Sequence, residues 1–181
     1  MRRSRASVAR LSAALAPLAL LVFPALTGCA STAGHSGSLH ATLPDAKPYH
    51  PGADARVEVA AARAEAAVND TRLLLVMGAN WCHDSRALAG WLETPRFRQL
   101  VNENFALVFV DVGHPQSGEG RNLDIAAQFG LEDITGTPSL LVVTPEGTLV
   151  NPETARSWRN AASRSEEAIY AELLELANRP V

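Results

Sequence analysis

Cysteine is nearly missing from this chain: only Cys29 and Cys82 occur in 181 residues. Two cysteines cannot build the disulfide framework of a small stapled scaffold. Apolar runs long enough to cross a bilayer as a helix, which takes about 20 residues, are also absent. The longest, Leu11 to Leu26, has 16 residues and is interrupted by Pro17 and Pro24. No acidic residue stands before Asp45, whereas Arg2, Arg3, Arg5 and Arg10 crowd the first ten positions. The formal charge is −3, so setting those four arginines aside leaves about −7 for the rest. A body of that sign argues against a nucleic-acid partner held by phosphate neutralisation. No internal repeat is visible. The remaining composition, 47% apolar and 19% charged, is that of one ordinary globular domain.

The basic start, the short apolar run and the small residues that follow read as an export signal that is removed. Arg2 and Arg3 are not followed by the rest of a twin-arginine pattern, which favours the general export route. The stretch "LTGCAS" at 26–31 resembles the lipobox of bacterial lipoproteins, with Leu26, Gly28 and Cys29 in matching places. The resemblance implies that residues 1–28 are cleaved and that Cys29 becomes the lipidated N-terminus, a firm anchor if several acyl chains are attached. The alternative is ordinary cleavage, with Cys29 an incidental thiol. Ala30, where an Asp would signal inner-membrane retention, implies the periplasmic face of the outer membrane. Cys82 would then be the only thiol of the mature chain, in an oxidising compartment.

Residues 29–52 are rich in Ser, Gly, Ala, Thr, His and Pro without apolar periodicity, and read as a tether. Its His35, His40 and His50 are too widely spaced to be a convincing metal site and read as solvated linker residues. The folded domain is expected over 53–181. A first helix is predicted with Val57, Ala60, Ala61, Ala64 and Val68 on its inner face. "RLLLVMGA" reads as a buried strand, a helix follows, and Pro95 breaks it and restarts a second piece with Phe97, Leu100 and Val101 inward. "ALVFVDV" and "SLLVV" read as further buried strands, with a short helix ending at Gly130 between them. "LVN" at 149–151 would be a hairpin partner. The stretch "SRSEEAIYAELLELANR", 163–179, reads as an amphipathic closing helix carrying Ile169, Leu173, Leu174 and Leu176, with Ser165 suited to a helix start. This order argues for an α/β domain whose central mixed sheet of about four strands is covered by helices on both faces.

The chemistry centres on "GANWCHDSRALAGW", residues 78–91. A strand ends here in Trp81 and Cys82 as a helix begins, and a thiol at a helix N-terminus meets unpaired N–H groups and a dipole that favour thiolate over thiol. The competing possibility is an inert buried cysteine, against which the polar neighbours Asn80, His83, Asp84 and Ser85 speak. Together with "TGTPS" at 135–139, this motif resembles the thioredoxin superfamily over about residues 55–178. The piece "WLETPRFRQLVNENFALVFVDV" is most similar to a branch with a broken second helix. The resemblance implies a three-layer thioredoxin-like fold with a cis Thr137–Pro138 bond facing Cys82, a loop that receives an extended substrate, and a surface ring at Trp81. Trp91 and Trp158 read as packing.

Two positions depart from that pattern. Ser85 stands where the second, resolving cysteine would be, and Val76 where a buried acid would assist proton transfer. An intramolecular disulfide is therefore impossible and a dithiol reductase cycle is not expected. Ser85 can offer its hydroxyl to the Cys82 sulfur. His83 either favours the thiolate or merely fills a surface position, and Asp84 suits the helix start. Cys82, His83, Asp84 and His114 diverge too much for a metal site, so neither a metal nor another cofactor is expected. Two functions are compatible: single-thiol exchange through mixed disulfides with exported proteins or small thiols, of isomerase or deglutathionylation type, and a partner-binding module in which the thiol is dispensable.

Overall fold

The computed structural model describes residues 43–181; the expected export signal, Cys29 and most of the expected tether lie outside the described residues. The elements in chain order are α1 (Ala55–Asn69), β1 (Arg72–Gly78), α2 (His83–Leu92), α3 (Pro95–Asn104), β2 (Phe105–Asp111), the two-residue strands β3 (Gly113–His114) and β4 (Glu119–Gly120), α4 (Leu123–Ala127), β5 (Ser139–Val143) and α5 (Glu166–Asn178). A stretch of 3-10 helix, Ser157–Ser163, lies between β5 and α5.

The apolar run of β1 takes the centre of the sheet, where both faces are covered. β2 pairs with it in parallel, Gly78 opposite Asp111, and β5 pairs on its other side in antiparallel, Met77 opposite Ser139. Side chains alternate across the strand: Leu73, Leu75 and Met77 pack under α1 and α4, while Leu74 and Val76 pack under α2, α3 and α5. Each fully buried Leu or Met contributes about 1.5–3 kcal/mol over its exposed state. The result is the expected helix–sheet–helix arrangement.

The expected fourth strand is reduced to a single bridge, Val143 to Leu149. A side chain takes over its pairing. Asn151, fully buried, accepts from Val142 N at 2.9 Å and donates to Leu140 O at 2.9 Å, completing the edge of β5 with an amide in place of a strand backbone. α1 is rotated from the expected face: Ala55, Val59, Ala62 and Ala66 are buried, and Val57 and Val68 face solvent. An alanine-rich helix offers two faces of similar apolarity, and the close approach of the sheet selects the one with smaller side chains. On α5, Ile169, Leu173 and Leu176 point inward, but Leu174 is exposed.

Residues 43–52, assigned to the tether by composition, pack on the domain. Asp45 pairs with Arg86 at 2.9 Å, Ala46 N donates to Arg86 O at 3.1 Å, and Pro44 lies against Gly90, where any Cβ would meet its main chain at 2.4 Å. Tyr49 is completely buried. Burying one aromatic ring outweighs the polar composition around it, so the folded unit begins ahead of residue 53.

Candidate functional site

Cys82 is the N-cap of α2, in extended conformation, with no side-chain capping bond of its own. Its thiol donates instead to Thr137 O at 3.4 Å. The Thr137–Pro138 peptide bond is cis, and the loop that carries it lies over the sulfur. Cys82 is consequently 8% exposed, more buried than its polar neighbours suggested. The covering group is a main-chain carbonyl that an incoming chain can replace, since it bonds to the thiol alone among the described residues.

The neighbours of Cys82 divide into rim and floor. Trp81 is 43% exposed and stacks on His114, with ring centroids 4.7 Å apart and planes 7° from parallel, while its Nε1 donates to Gly113 O at 3.0 Å. The short β3–β4 ladder thus serves as a prop for the indole. His83 is exposed. Asp84 faces the 3-10 segment and accepts from Ala162 N at 2.9 Å, a structural bond in agreement with its position in the first turn. Val76 is fully buried in the layer beneath.

Ser85 forms the floor. It has no exposed surface, and its hydroxyl has no hydrogen-bond partner. A buried hydroxyl left without a partner costs about 1–3 kcal/mol, and Trp91 Nε1, Thr154 Oγ1 and Trp158 Nε1 are in the same condition. Ser85 shares a tight hollow with Tyr49: a Cβ on Gly78 would stand 2.8 Å from Ser85 Oγ and 2.5 Å from Tyr49 Oη. Tyr49 Oη in turn donates to Ser85 O at 3.4 Å. Burial pushes the Tyr49 hydroxyl far above the ordinary tyrosine range; the adjacent Ser85 side-chain hydroxyl, which can donate to the phenolate, pulls the other way, and charge on Cys82 and Asp111 adds to the upward push. It is a neutral donor at any physiological pH.

Asp111, at the end of β2, is 7% exposed, accepts from Gly113 N at 3.0 Å and lies 3.4 Å from Arg121 Nε. It lies opposite Gly78 in the sheet, close enough to Tyr49 for its charge to act on that hydroxyl. On the far side of the Thr137 loop, Arg159 Nη2 donates to Thr135 Oγ1 at 3.2 Å.

Cys82, Ser85, Trp81, Thr137 and Pro138 are therefore gathered in one place, His83 is at its exposed edge, and Cys29 is outside the described residues. Sequence reasoning missed Tyr49, Asp111 and Arg159. One signal for Tyr49 was available, because it is the only aromatic residue between Phe23 and Trp81. Among the described residues, no cluster of three His, Cys, Asp or Glu side chains assembles for a metal, and no helix is long and apolar enough to cross a membrane.

A family model described as thioredoxin-like matches residues 54–145. Among solved structures, a disulphide isomerase from Xylella fastidiosa Temecula1 is 30% identical with a TM-score of 0.65, over 74% of this chain and 98% of that one. A Pseudomonas aeruginosa protein of unknown function is 20% identical with a TM-score of 0.37, over 70% of this chain and 86% of that one. No curated protein matches.

Proposed function

We propose that this chain, which belongs to the thioredoxin-like family, is a lipid-anchored, single-thiol exchange protein of the cell envelope. The observation that carries the proposal is the Cys82 sulfur at the N-cap of α2, 3.4 Å from the carbonyl that precedes Pro138. Similarity to a disulphide isomerase structure supports thiol–disulfide exchange at a general level.

The chemistry follows from one sulfur. The Cys82 thiolate attacks a substrate disulfide; a Cys82–substrate disulfide forms as the substrate S–S bond breaks. The leaving sulfur keeps the bonding electron pair and takes a proton from water. A second thiol, from the same substrate or from a small-molecule pool, then attacks the mixed disulfide and returns Cys82 to its starting state. When that thiol belongs to the same substrate, its disulfide is rearranged without any net oxidant or reductant. The Ser85 hydroxyl, expected to bond to the sulfur, makes no such bond in the resting site.

The second reading, a partner-binding module, draws on two observations: Cys82 is mostly covered, and Val76 leaves the usual acid position apolar. The experiment that separates them is capture of mixed disulfides in cells expressing the protein or Cys82→Ala. Covalent partners present only with the thiol support exchange. Identical non-covalent partners with both, and no covalent ones, support binding.

A further inference from the structure

We infer that Arg159, with Arg156 beside it, forms a carboxylate-binding subsite on the rim of the Cys82 site, so that preferred disulfides carry an acidic group next to the reacting cysteine. This rests on the exchange reading above and specifies its substrate class.

Both arginines are held in place from behind. Leu140 N donates to Ala155 O at 2.9 Å, and Trp158, between the two arginines, is fully buried. From this fixed base the side chains reach the loop ahead of Pro138 in register: Arg156 Nη2 donates to Glu132 O, and three residues on Arg159 Nη2 donates to Thr135 Oγ1 at 3.2 Å. The Arg159 guanidinium lies directly over Gly136, where a Cβ would be 2.9 Å from Nε and 3.0 Å from Cζ. The next residue is Thr137, whose carbonyl touches the Cys82 sulfur. A cation is thus fixed one residue along the loop from the atom that a substrate chain would displace.

The charge is also unspent. Six other arginines sit on carboxylates, among them Arg86 on Asp45 and Arg164 on Glu172. Among the described residues Arg156 and Arg159 have no carboxylate within ion-pairing distance, and Glu132 and Asp133 on the same loop pair with neither. Arg63, Arg72 and Arg98 are likewise without a carboxylate, but Arg63 and Arg72 bond to the carbonyls of Pro145, Glu146, Leu176 and Arg179, whereas Arg156 and Arg159 are the two that bond to the loop leading into Thr137. A guanidinium uses a planar fork of N–H donors that fits a carboxylate with two parallel bonds. Arg159 has committed only one donor group, to a hydroxyl.

The test measures the rate at which Cys82 of the full chain forms mixed disulfides with symmetric disulfides of N-acetyl-Cys-Glu-amide, its Gln analogue and its Lys analogue. Oxidised glutathione and its ethyl ester serve as the small-molecule pair. Each rate is divided by that of a free reference thiol, which removes the effect of probe charge on intrinsic reactivity. The expected result is a preference of about threefold to tenfold for the acidic member of at least one pair, the range of a charge-assisted contact at a partly exposed site. Arg159→Gln should bring the ratio of the acidic to the neutral probe to about one, and Arg159→Lys should retain part of the preference. Whichever pair shows the larger ratio identifies the source, peptide or small thiol. Equal rates within both pairs would overturn the subsite, as would an Arg159→Gln variant slowed equally on every probe, which marks a loop clip. If no probe reacts with the parent protein, the exchange reading falls first and the subsite with it.

Discussion

Tyr49 and Asn80 hold each other through a reciprocal pair of hydrogen bonds, Tyr49 N donating to Asn80 Oδ1 at 3.2 Å and Asn80 Nδ2 donating to Tyr49 O at 2.7 Å. The pair fastens the segment that precedes α1 to the turn two residues ahead of Cys82. With the Tyr49 ring edge-on to Phe109, centroids 5.5 Å apart, the segment becomes a wall of the site.

Tyr49 makes stability sensitive to alkaline pH. Its folded-state proton affinity is raised above the unfolded value of 10.0, chiefly by burial. The contribution is complete below pH 10 or so and is lost as pH rises, because the unfolded chain releases the proton while the folded one keeps it. Urea unfolding between pH 9 and 11 should show the parent losing up to about 1.4 kcal/mol per pH unit relative to Tyr49→Phe. Parallel curves for the two proteins would count against this placement of the hydroxyl.

Gly78→Ala should destabilise the fold by about 1–3 kcal/mol, the usual cost of overpacking a filled core. The new methyl would meet Tyr49 Oη at 2.5 Å and Cζ at 2.6 Å. Adding Tyr49→Ala should recover part of the loss, and the double-mutant cycle in denaturation measures that coupling. Simple additivity would show that the two residues do not meet.

Ser85→Cys should convert the site to dithiol chemistry. Position 85 is one helical turn from Cys82, fully buried, and its present hydroxyl has no bond to lose. The second sulfur can expel a bound substrate from within, so a model mixed disulfide should dissociate at least about tenfold faster than from the parent, with weak insulin-type reductase activity appearing as well. An unchanged release rate in a folded variant with two titratable thiols would favour the binding-module reading.

Cys29→Ser tests the anchor. Lipid on Cys29, proposed from "LTGC" after a short apolar run, should be lost in this variant, and the protein should move from the membrane fraction to the soluble fraction on cell fractionation. Retention in the membrane fraction by the variant would remove lipidation from the proposal.

The sheet and the thiol position were legible because each rests on a local pattern. The run Leu73–Met77 is apolar for long enough to be a central strand and too short to be a helix, and a Trp-Cys pair between strand and helix has few other uses. What escaped reading depends on distant partners. The inner face of α1 could not be chosen from a row of alanines. Asn151 stands in for a strand only because β5 lies alongside, and Arg159 acquires its place from Gly136, 23 positions earlier in the chain. Tyr49 sat among tether-like residues, and only the hollow at Gly78 explains it.

The bonds that complete the site join residues far apart along the chain: Tyr49 to Asn80 across 31 positions, Cys82 to Thr137 across 55, Asp84 to Ala162 across 78. Contacts of such separation form only after the intervening loops have closed, so they belong to the late stages of folding. A chain that has yet to close these loops would carry Cys82 as a plain exposed thiol, without the loop of Thr137 or the ring of Tyr49 around it. The covered setting of Cys82 is then acquired only on completion of the fold, and the unfinished chain leaves its thiol open to oxidation for as long as residue 162 has yet to take its place.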